Sequence, residues 1–381
     1  MWKTVKLGDV VSYEKVNGQG SNRPYVGMEN ISSETMEVVG SPEIPEKTSS
    51  TFKFDERHVL FGRLRPYLRK VLVPNFDGQC STEIFCLLPS DKVDKRFLAH
   101  WLLHPKVSTI INETSTGARM PRANMNAILD FDFPLPPLAE QQRIVAKLDA
   151  AFAEIDTSLT NTEKTIQAAE DGLANLIDAK TKNRTGWSEY KVSDLGAVQT
   201  GNTPKTSNKE NYGTDMPFVK PPNFQSDGAI VTANEGLSFQ GASRSRVADK
   251  NSIMMVCIGA TIGKVGVCSE NVCFNQQINA LTPSDKFDAE LIYWQMRGRR
   301  FQSEVRAKAG QATLPIISKS KWQNLSIFVP GSLREQVEIR ELLRDLNSQT
   351  EDYINLRQLK KRELSTLKSA ILAQELQSEA A

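Results

Sequence analysis

The sequence is short of the residues that mark secreted, metal-dependent or membrane proteins. It has three histidines in 381 residues, and its five cysteines (Cys80, Cys86, Cys257, Cys268 and Cys273) include no Cys-x-x-Cys pair. An odd number without paired spacing argues against a disulfide framework and a zinc ribbon, and makes a reducing cytoplasm the expected compartment. No apolar run reaches the length of a membrane span, and Met1–Lys6 leads into no hydrophobic core of a signal peptide. Charge of one sign is missing too. Lys plus Arg is 47 against 45 Asp plus Glu, a net of +2. With 39% hydrophobic and 24% charged residues, the chain is neither a polycation nor a disordered tail, and its length predicts two or three domains.

What is present is a repeat. Trp2-Lys3-Thr4-Val5-Lys6-Leu7-Gly8-Asp9-Val10 returns as Trp187-Ser188-Glu189-Tyr190-Lys191-Val192-Ser193-Asp194-Leu195, an offset of 187 − 2 = 185. Leu88-Pro89-Ser90-Asp91-Lys92 returns as Thr282-Pro283-Ser284-Asp285-Lys286 at 282 − 88 = 194. Glu140-Gln141-Gln142-Arg143-Ile144 returns as Glu335-Gln336-Val337-Glu338-Ile339 at 335 − 140 = 195. Three blocks in the same order with a slowly growing offset mean one two-part unit used twice.

The two parts of each unit differ in composition. Residues 1–137 and 186–331 alternate prolines and glycines with short β-branched runs such as Val71–Val73, Ile84–Leu88 and Ser252–Ile258, and short helices are predicted at Phe97–Leu103 and Leu291–Met296. Each reads as an α+β domain. Residues 138–185 and 332–381 contain no proline. In the first, Val145, Leu148, Phe152, Ile155, Leu159, Thr162, Ile166, Ala169, Leu173 and Leu176 recur in steps of three and four. The second carries Ile339, Leu342, Leu346, Tyr353, Leu356, Leu364, Leu367 and Ile371, with a stutter near Lys360-Lys361 and a Ser332–Glu335 capping box at the start. Each predicts a helix roughly 60–65 Å long at 1.5 Å per residue. The short connection from Lys180 to Trp187 leaves no room for a return strand, so the two helices are expected to pair antiparallel, relating the domains by a pseudo-twofold axis.

Several fragments imitate catalytic motifs. Gly259-Ala260-Thr261-Ile262-Gly263-Lys264-Val265 is one residue short of a phosphate-binding loop and lacks its hydroxyl. Lys220-Pro221-Pro222-Asn223-Phe224 resembles an adenine-methyltransferase loop but departs from it at both essential places. His100 and His104 have ligand spacing without further ligands, and Cys268 and Cys273 read as buried small hydrophobes. The chain reads as non-catalytic.

Positive charge is local. The segment Phe61–Lys70 holds Arg63, Arg65, Arg69 and Lys70 around Tyr67 with no acid, and Thr116–Asn124 holds Arg119, Arg122 and Asn124, again without acids. In the second half the comparable residues are Lys220, Arg244, Arg246, Asn275, Gln276 and Gln277, with Arg297-Gly298-Arg299-Arg300 beyond them. Arg, Asn and Gln are the side chains that read guanine and adenine edges, so these residues are the predicted DNA contacts. The competing reading is a two-headed adaptor that binds protein or peptide partners across a coiled-coil spacer, which has no need of acid-free arginine loops in both halves.

Taken together, the plan resembles the specificity subunit of Type I restriction-modification systems over the whole length. The resemblance lies in the repeated Trp2 and Trp187 blocks, in Pro136-Pro137-Leu138-Ala139-Glu140-Gln141-Gln142-Arg143-Ile144, in Gly259–Gly263 and in Leu367–Leu372. The second copy departs from the Pro-Pro-Leu pattern at Pro330-Gly331-Ser332-Leu333. The resemblance implies target-recognition domains at 1–137 and 186–331, each reading one half of a bipartite site on double-stranded DNA, and spacer helices at 138–185 and 332–381. It implies no metal and no cofactor in this chain. S-adenosylmethionine, ATP and magnesium would belong to partners, namely modification (methyltransferase) subunits docked on the long helices and a restriction (translocase/nuclease) subunit.

Overall fold

The repeat seen in the sequence is a repeat of strand order. The computed structural model describes residues 2–33, 35–46, 50–183, 185–225, 227–232, 236–310 and 313–377. The chain divides into two compact units, Met1–Asn161 with Lys360–Ala381, and Thr162–Leu359.

In the first unit a four-stranded antiparallel sheet runs in the order Val11–Glu14, Ile84–Pro89, Val59–Gly62, Val71–Leu72, with Val11 opposite Pro89 and Phe61 opposite both Phe85 and Val71. The central strand Val59–Gly62 is buried at every residue, which explains its unbroken apolar character. A smaller sheet orders Tyr25–Val26, Gly78–Ser81 and Thr51–Phe54. A two-stranded pair, Lys3–Lys6 with Asp132–Leu135, joins the two ends of the domain. The helices are α1 (Lys95–Leu103), α2 (Pro105–Glu113), α3 (Met125–Leu129) and the long α4 (Leu138–Thr181). Asp94 caps α1 by accepting the N–H groups of Arg96 and Phe97.

The second unit repeats this. Its four-stranded sheet orders Gly196–Thr200, Ile278–Pro283, Ile253–Val256 and Val265–Val267, with Gly196 opposite Pro283 as Val11 is opposite Pro89. Trp187–Lys191 pairs with Ser326–Pro330. The helices are α5 (Phe239–Ser243), α6 (Ala289–Arg297), α7 (Arg299–Ala309), α8 (Lys319–Trp322) and the long α9 (Leu333–Gln377). Both helices predicted between strands are present, as α1 and α6. All five cysteines are buried free thiols, and the small, soft side chains of Cys268 and Cys273 pack in the second unit's clusters.

The Glu-Gln repeat has a structural role that its spacing does not reveal. The Gln141 side chain is fully buried and makes three hydrogen bonds, accepting from Asp94 N–H at 2.8 Å and donating to Lys92 O and Pro136 O, both at 2.9 Å. Gln336 does the same to Asp288 N–H, Lys286 O and Pro330 O. Each amide locks the start of a long helix onto the loop that caps α1 or α6. The predicted capping box is half formed. Ser332 Oγ accepts the Glu335 N–H at 3.3 Å, but the Glu335 carboxylate takes the indole N–H of Trp187 at 3.0 Å.

Helices α4 and α9 are 44 and 45 residues long and uninterrupted, so the Lys360-Lys361 stutter leaves no break. Within each unit they run antiparallel. In the first, Lys147 Nζ meets Glu375 Oε1 and Lys368 Nζ meets Asp156 Oδ1, each at 2.7 Å, while Leu372 and Leu376 join Val145, Leu148 and Phe152 in the core. In the second, Leu173 and Ile177 share a core with Leu343. The predicted stripe needs correction at four places, because Leu176, Leu342, Leu356 and Leu367 are exposed and Ile177 and Leu343 are buried instead. A straight α-helix drifts by about 20° per heptad from a seven-residue repeat, so a strict heptad reading rotates off the true contact line.

Asp149 on α4 accepts from both Arg96 (2.7 and 2.8 Å) and the buried His100 (3.0 Å) on α1. Burial raises the Asp149 pKa, but these hydrogen bonds overcome it and hold the carboxyl at about 2 against an ordinary 3.8. Burial lowers His100 and keeps it neutral. Both groups bind fewer protons folded than unfolded. Their stabilising effect is therefore full above the ordinary histidine range, declines as pH falls below about 6.5 through His100, and declines again from 3.8 toward 2 through Asp149. Thermal melts across pH are expected to show a shallower fall between pH 3.8 and 2 for Asp149→Asn than for the wild type; parallel curves would remove this ion pair from the acid response.

Candidate nucleic-acid interface

In the first unit, the predicted DNA contacts lie on two loops that meet. Arg65 N–H donates to Pro121 O at 2.7 Å, Ala123 N–H donates to Arg63 O at 2.9 Å, and Thr116 and Arg122 exchange backbone bonds at 3.0 and 3.1 Å. Gly117 closes the second loop at φ +93°, a left-handed conformation natural to glycine. The first loop is less ordinary. Arg65 and Arg69 flank the turn Pro66–Leu68 at φ +51° and +48°, where a side chain costs backbone strain.

The side chains divide into held and unheld groups. Arg122 donates to Glu83 from Nε at 3.0 Å and from Nη2 at 2.9 Å, and Arg63 lies 5.4 Å above the Phe85 ring and 3.9 Å from the same carboxylate. Arg69 donates to Leu103 O, and Lys70 Nζ reaches Met28 O at 2.5 Å. Asn124 caps α3 by accepting Asn126 N–H at 3.1 Å. Arg65, Tyr67 and Arg119 are exposed, and their side chains make no bond or ring contact among the described residues.

The second unit shows the same frame with other side chains on it. Gly259 N–H donates to Pro315 O at 3.0 Å and Ile317 N–H donates to Cys257 O at 3.0 Å, 194 residues after the Arg65–Pro121 and Ala123–Arg63 bonds (259 − 65 and 257 − 63). The phosphate-loop look-alike is therefore the copy of the arginine loop. Gly259 and Gly263, at φ +101° and +90°, stand where the first copy has Arg65 and Arg69. Lys264 Nζ donates to Phe224 O at 3.2 Å, as Lys70 does to Met28 O. Lys220-Pro221-Pro222-Asn223 is likewise a structural turn. Asn223 accepts Lys220 N–H at 2.7 Å and donates to Val231 O at 2.8 Å, the bonds Asn30 makes with Gly27 and Val39. The exposed Lys220 side chain lies 5.6 Å from the Phe218 ring centre.

Arg244, Arg246 and Gln276 are brought together by one short segment. Asn202 accepts Arg246 N–H at 2.8 Å and donates to Arg244 O at 2.9 Å, while Thr203 Oγ1 donates to Gln276 Oε1 at 2.6 Å. Arg244 also donates to Asn211 Oδ1 at 3.0 Å and Arg246 to Thr200 O at 2.5 Å. A cavity of about 400 Å³ opens beside Arg244, lined by Asn202, Thr203, Lys205, Asn208 and Asn211. Asn275 is buried and bonded to Gln277 through both side chain and backbone, so these two shape the turn before Ile278. Nothing in its local charge pattern marks the 202–208 segment, because Lys205 is its one charged residue.

His100 bonds Asp149, and His104 Nδ1 accepts Lys106 N–H at the start of α2. Among the described residues no three His, Cys, Asp or Glu side chains cluster to hold a metal.

Residues 1–168 and 184–361 each match the profile of the Type I restriction modification DNA specificity domain. The chain belongs to that specificity-domain family. Among its relatives, the HindI specificity subunit of Haemophilus influenzae is 34% identical over 150 residues, which cover 38% of this chain and 32% of the relative. The EcoDI specificity subunit of Escherichia coli is 29% identical over 176 residues, covering 46% and 38%. The chain thus spans about a third of the length of the curated specificity subunits it matches. Among solved structures, a chain from a type I R-M system superimposes with a TM-score of 0.77 at 22% identity, covering 98% of this chain and 97% of that one. The HsdS subunit from Thermoanaerobacter tengcongensis gives 0.50 at 22% identity, covering 98% and 96%. These likenesses establish the specificity-subunit fold, namely two similar α+β domains with two long antiparallel helices.

Proposed function

We propose that this chain is the sequence-reading subunit of a Type I restriction-modification complex, working in the cytoplasm on double-stranded DNA. Each domain reads one half of a bipartite target, and the paired helices set the spacer. One observation carries the reading: the two domains frame these loops with the same pair of backbone bonds, 65–121 and 123–63 in the first and 259–315 and 317–257 in the second, and differ in the side chains mounted there, arginines at 65 and 69 against glycines at 259 and 263. Two readers of unlike half-sites require that arrangement.

Adenine methylation and ATP-driven cleavage then belong to partners that carry S-adenosylmethionine, ATP and magnesium. The modification subunits dock on the long helices, where Leu342, Leu356, Leu359 and Leu367 are exposed, and a restriction subunit completes the complex. The target base is flipped into the modification subunit. The test is methylation mapping of host DNA with and without the gene. A two-part methylated motif that disappears with the gene is expected. Exchanging residues 1–137 for another domain of the family should change one half of the motif only, and a change in both halves or in neither would overturn the reading.

A further inference from the structure

A concave, basic cleft of about 220 Å³ lies in the first unit beside the two meeting loops. Its rim carries Lys15, Arg63 and Arg122, with Thr116, Asn124 and Asn126 between them, and among its lining residues there is no carboxylate. Two of the three cations sit against aromatic rings. Lys15 Nζ is 4.7 Å from the Tyr13 ring centre and Arg63 is 5.4 Å from that of Phe85, and the two rings pack edge to face at 5.0 Å. Arg122 is fixed by Glu83 behind it. Of the other acid nearby, the Glu14 carboxylate is turned onto His58 at 3.1 Å. Rings and carboxylate thus hold three cations at one opening with a local excess of positive charge. Arg63 Nε is shielded from solvent and makes no hydrogen bond, the Glu83 carboxylate standing 3.9 Å from it, so the outer face of the guanidinium is what the opening presents.

We infer that this cleft seats a phosphate of the DNA backbone, with Lys15 as its exposed cation, and so positions the unheld Arg65, Tyr67 and Arg119 for the base edges. Phosphate contacts set register and carry no sequence information, whereas base contacts specify. The cleft has no equivalent cations in the second domain, where Cys257 and Ile316 occupy the places of Arg63 and Arg122. The inference rests on the DNA-reading function proposed above and assigns the division of labour within its first half-site. Lys15 lies outside the acid-free segments because Glu14 precedes it, which hides it from a count of local charge.

The test uses the chain assembled with its modification subunits, titrated onto its preferred duplex and onto an unrelated duplex of equal length at several salt concentrations. Lys15→Ala should weaken both by the same factor, roughly three- to tenfold, leave the preferred sequence unchanged, and reduce the slope of log affinity against log salt by about 0.9. Lys15→Arg should restore slope and affinity. An unchanged slope, a loss confined to the preferred duplex, or weaker assembly with the modification subunits at unaltered DNA affinity would overturn the phosphate seat. A wild type that prefers neither duplex would overturn the DNA-reading function itself, while the slope on the unrelated duplex would still decide the role of Lys15.

Discussion

Replacing Gln141 with methionine is expected to lower stability by about 3 kcal/mol or more, although the new side chain is similar in length and more hydrophobic. The reason is that the amide satisfies one buried donor and two acceptors at once (Asp94 N–H, Lys92 O and Pro136 O), and each group left unpaired costs about 1–3 kcal/mol. For a unit of this size that corresponds to a fall in melting temperature of roughly 6–12 °C. Gln336→Met should act equally on the second unit through Asp288, Lys286 and Pro330. Calorimetry of the two variants checks this. A methionine variant as stable as the wild type would show that burial, not hydrogen bonding, explains the residue.

Arg65→Ala is expected to abolish base preference at one position of one half-site, a loss of about 1–3 kcal/mol in discrimination, with the other half-site untouched. Arg65→Gly should lose the same discrimination while raising stability by about 1 kcal/mol, since glycine removes the left-handed strain that arginine bears at φ +51°. Gly259 already occupies the equivalent place in the second domain at φ +101°. Selection of bound sequences from a randomised half-site, paired with thermal melts, measures both effects. If preference persists in both variants, Arg65 does not read a base, and its strained backbone serves only the turn.

Contacts that are local or repeated are legible in the sequence alone. The duplication, the α+β character of each domain and the two long helices follow from blocks of similar sequence and from the distribution of proline. These act through backbone geometry within a few residues. The arginine loops were legible as charge, and they do lie on adjoining turns. The contact line along the helices was legible only approximately. Leu173 is buried as the heptad predicts, but Leu176 and Leu342 give way to Ile177 and Leu343, because the phase of a helix drifts over its length and each helix must also cover its own domain.

The sequence by itself determined the plan of this protein: one domain and one helix, written twice. Only the tertiary structure decided what individual side chains do, because hydrogen bonding between segments far apart in the chain leaves no local trace. It turned the Glu-Gln repeat from a family hallmark into a buried three-way clamp. The phosphate-loop look-alike became the glycine copy of the arginine loop through one pair of backbone bonds, from residues 65 and 259 to Pro121 and Pro315. Lys70 and Lys264 were committed to carbonyl oxygens, whereas Arg65, Tyr67 and Arg119 kept their side chains exposed. The few cysteines and histidines follow the same rule. Their scarcity argues against a framework or a metal site, but only packing places His100 against Asp149 and leaves the thiols buried in the cores.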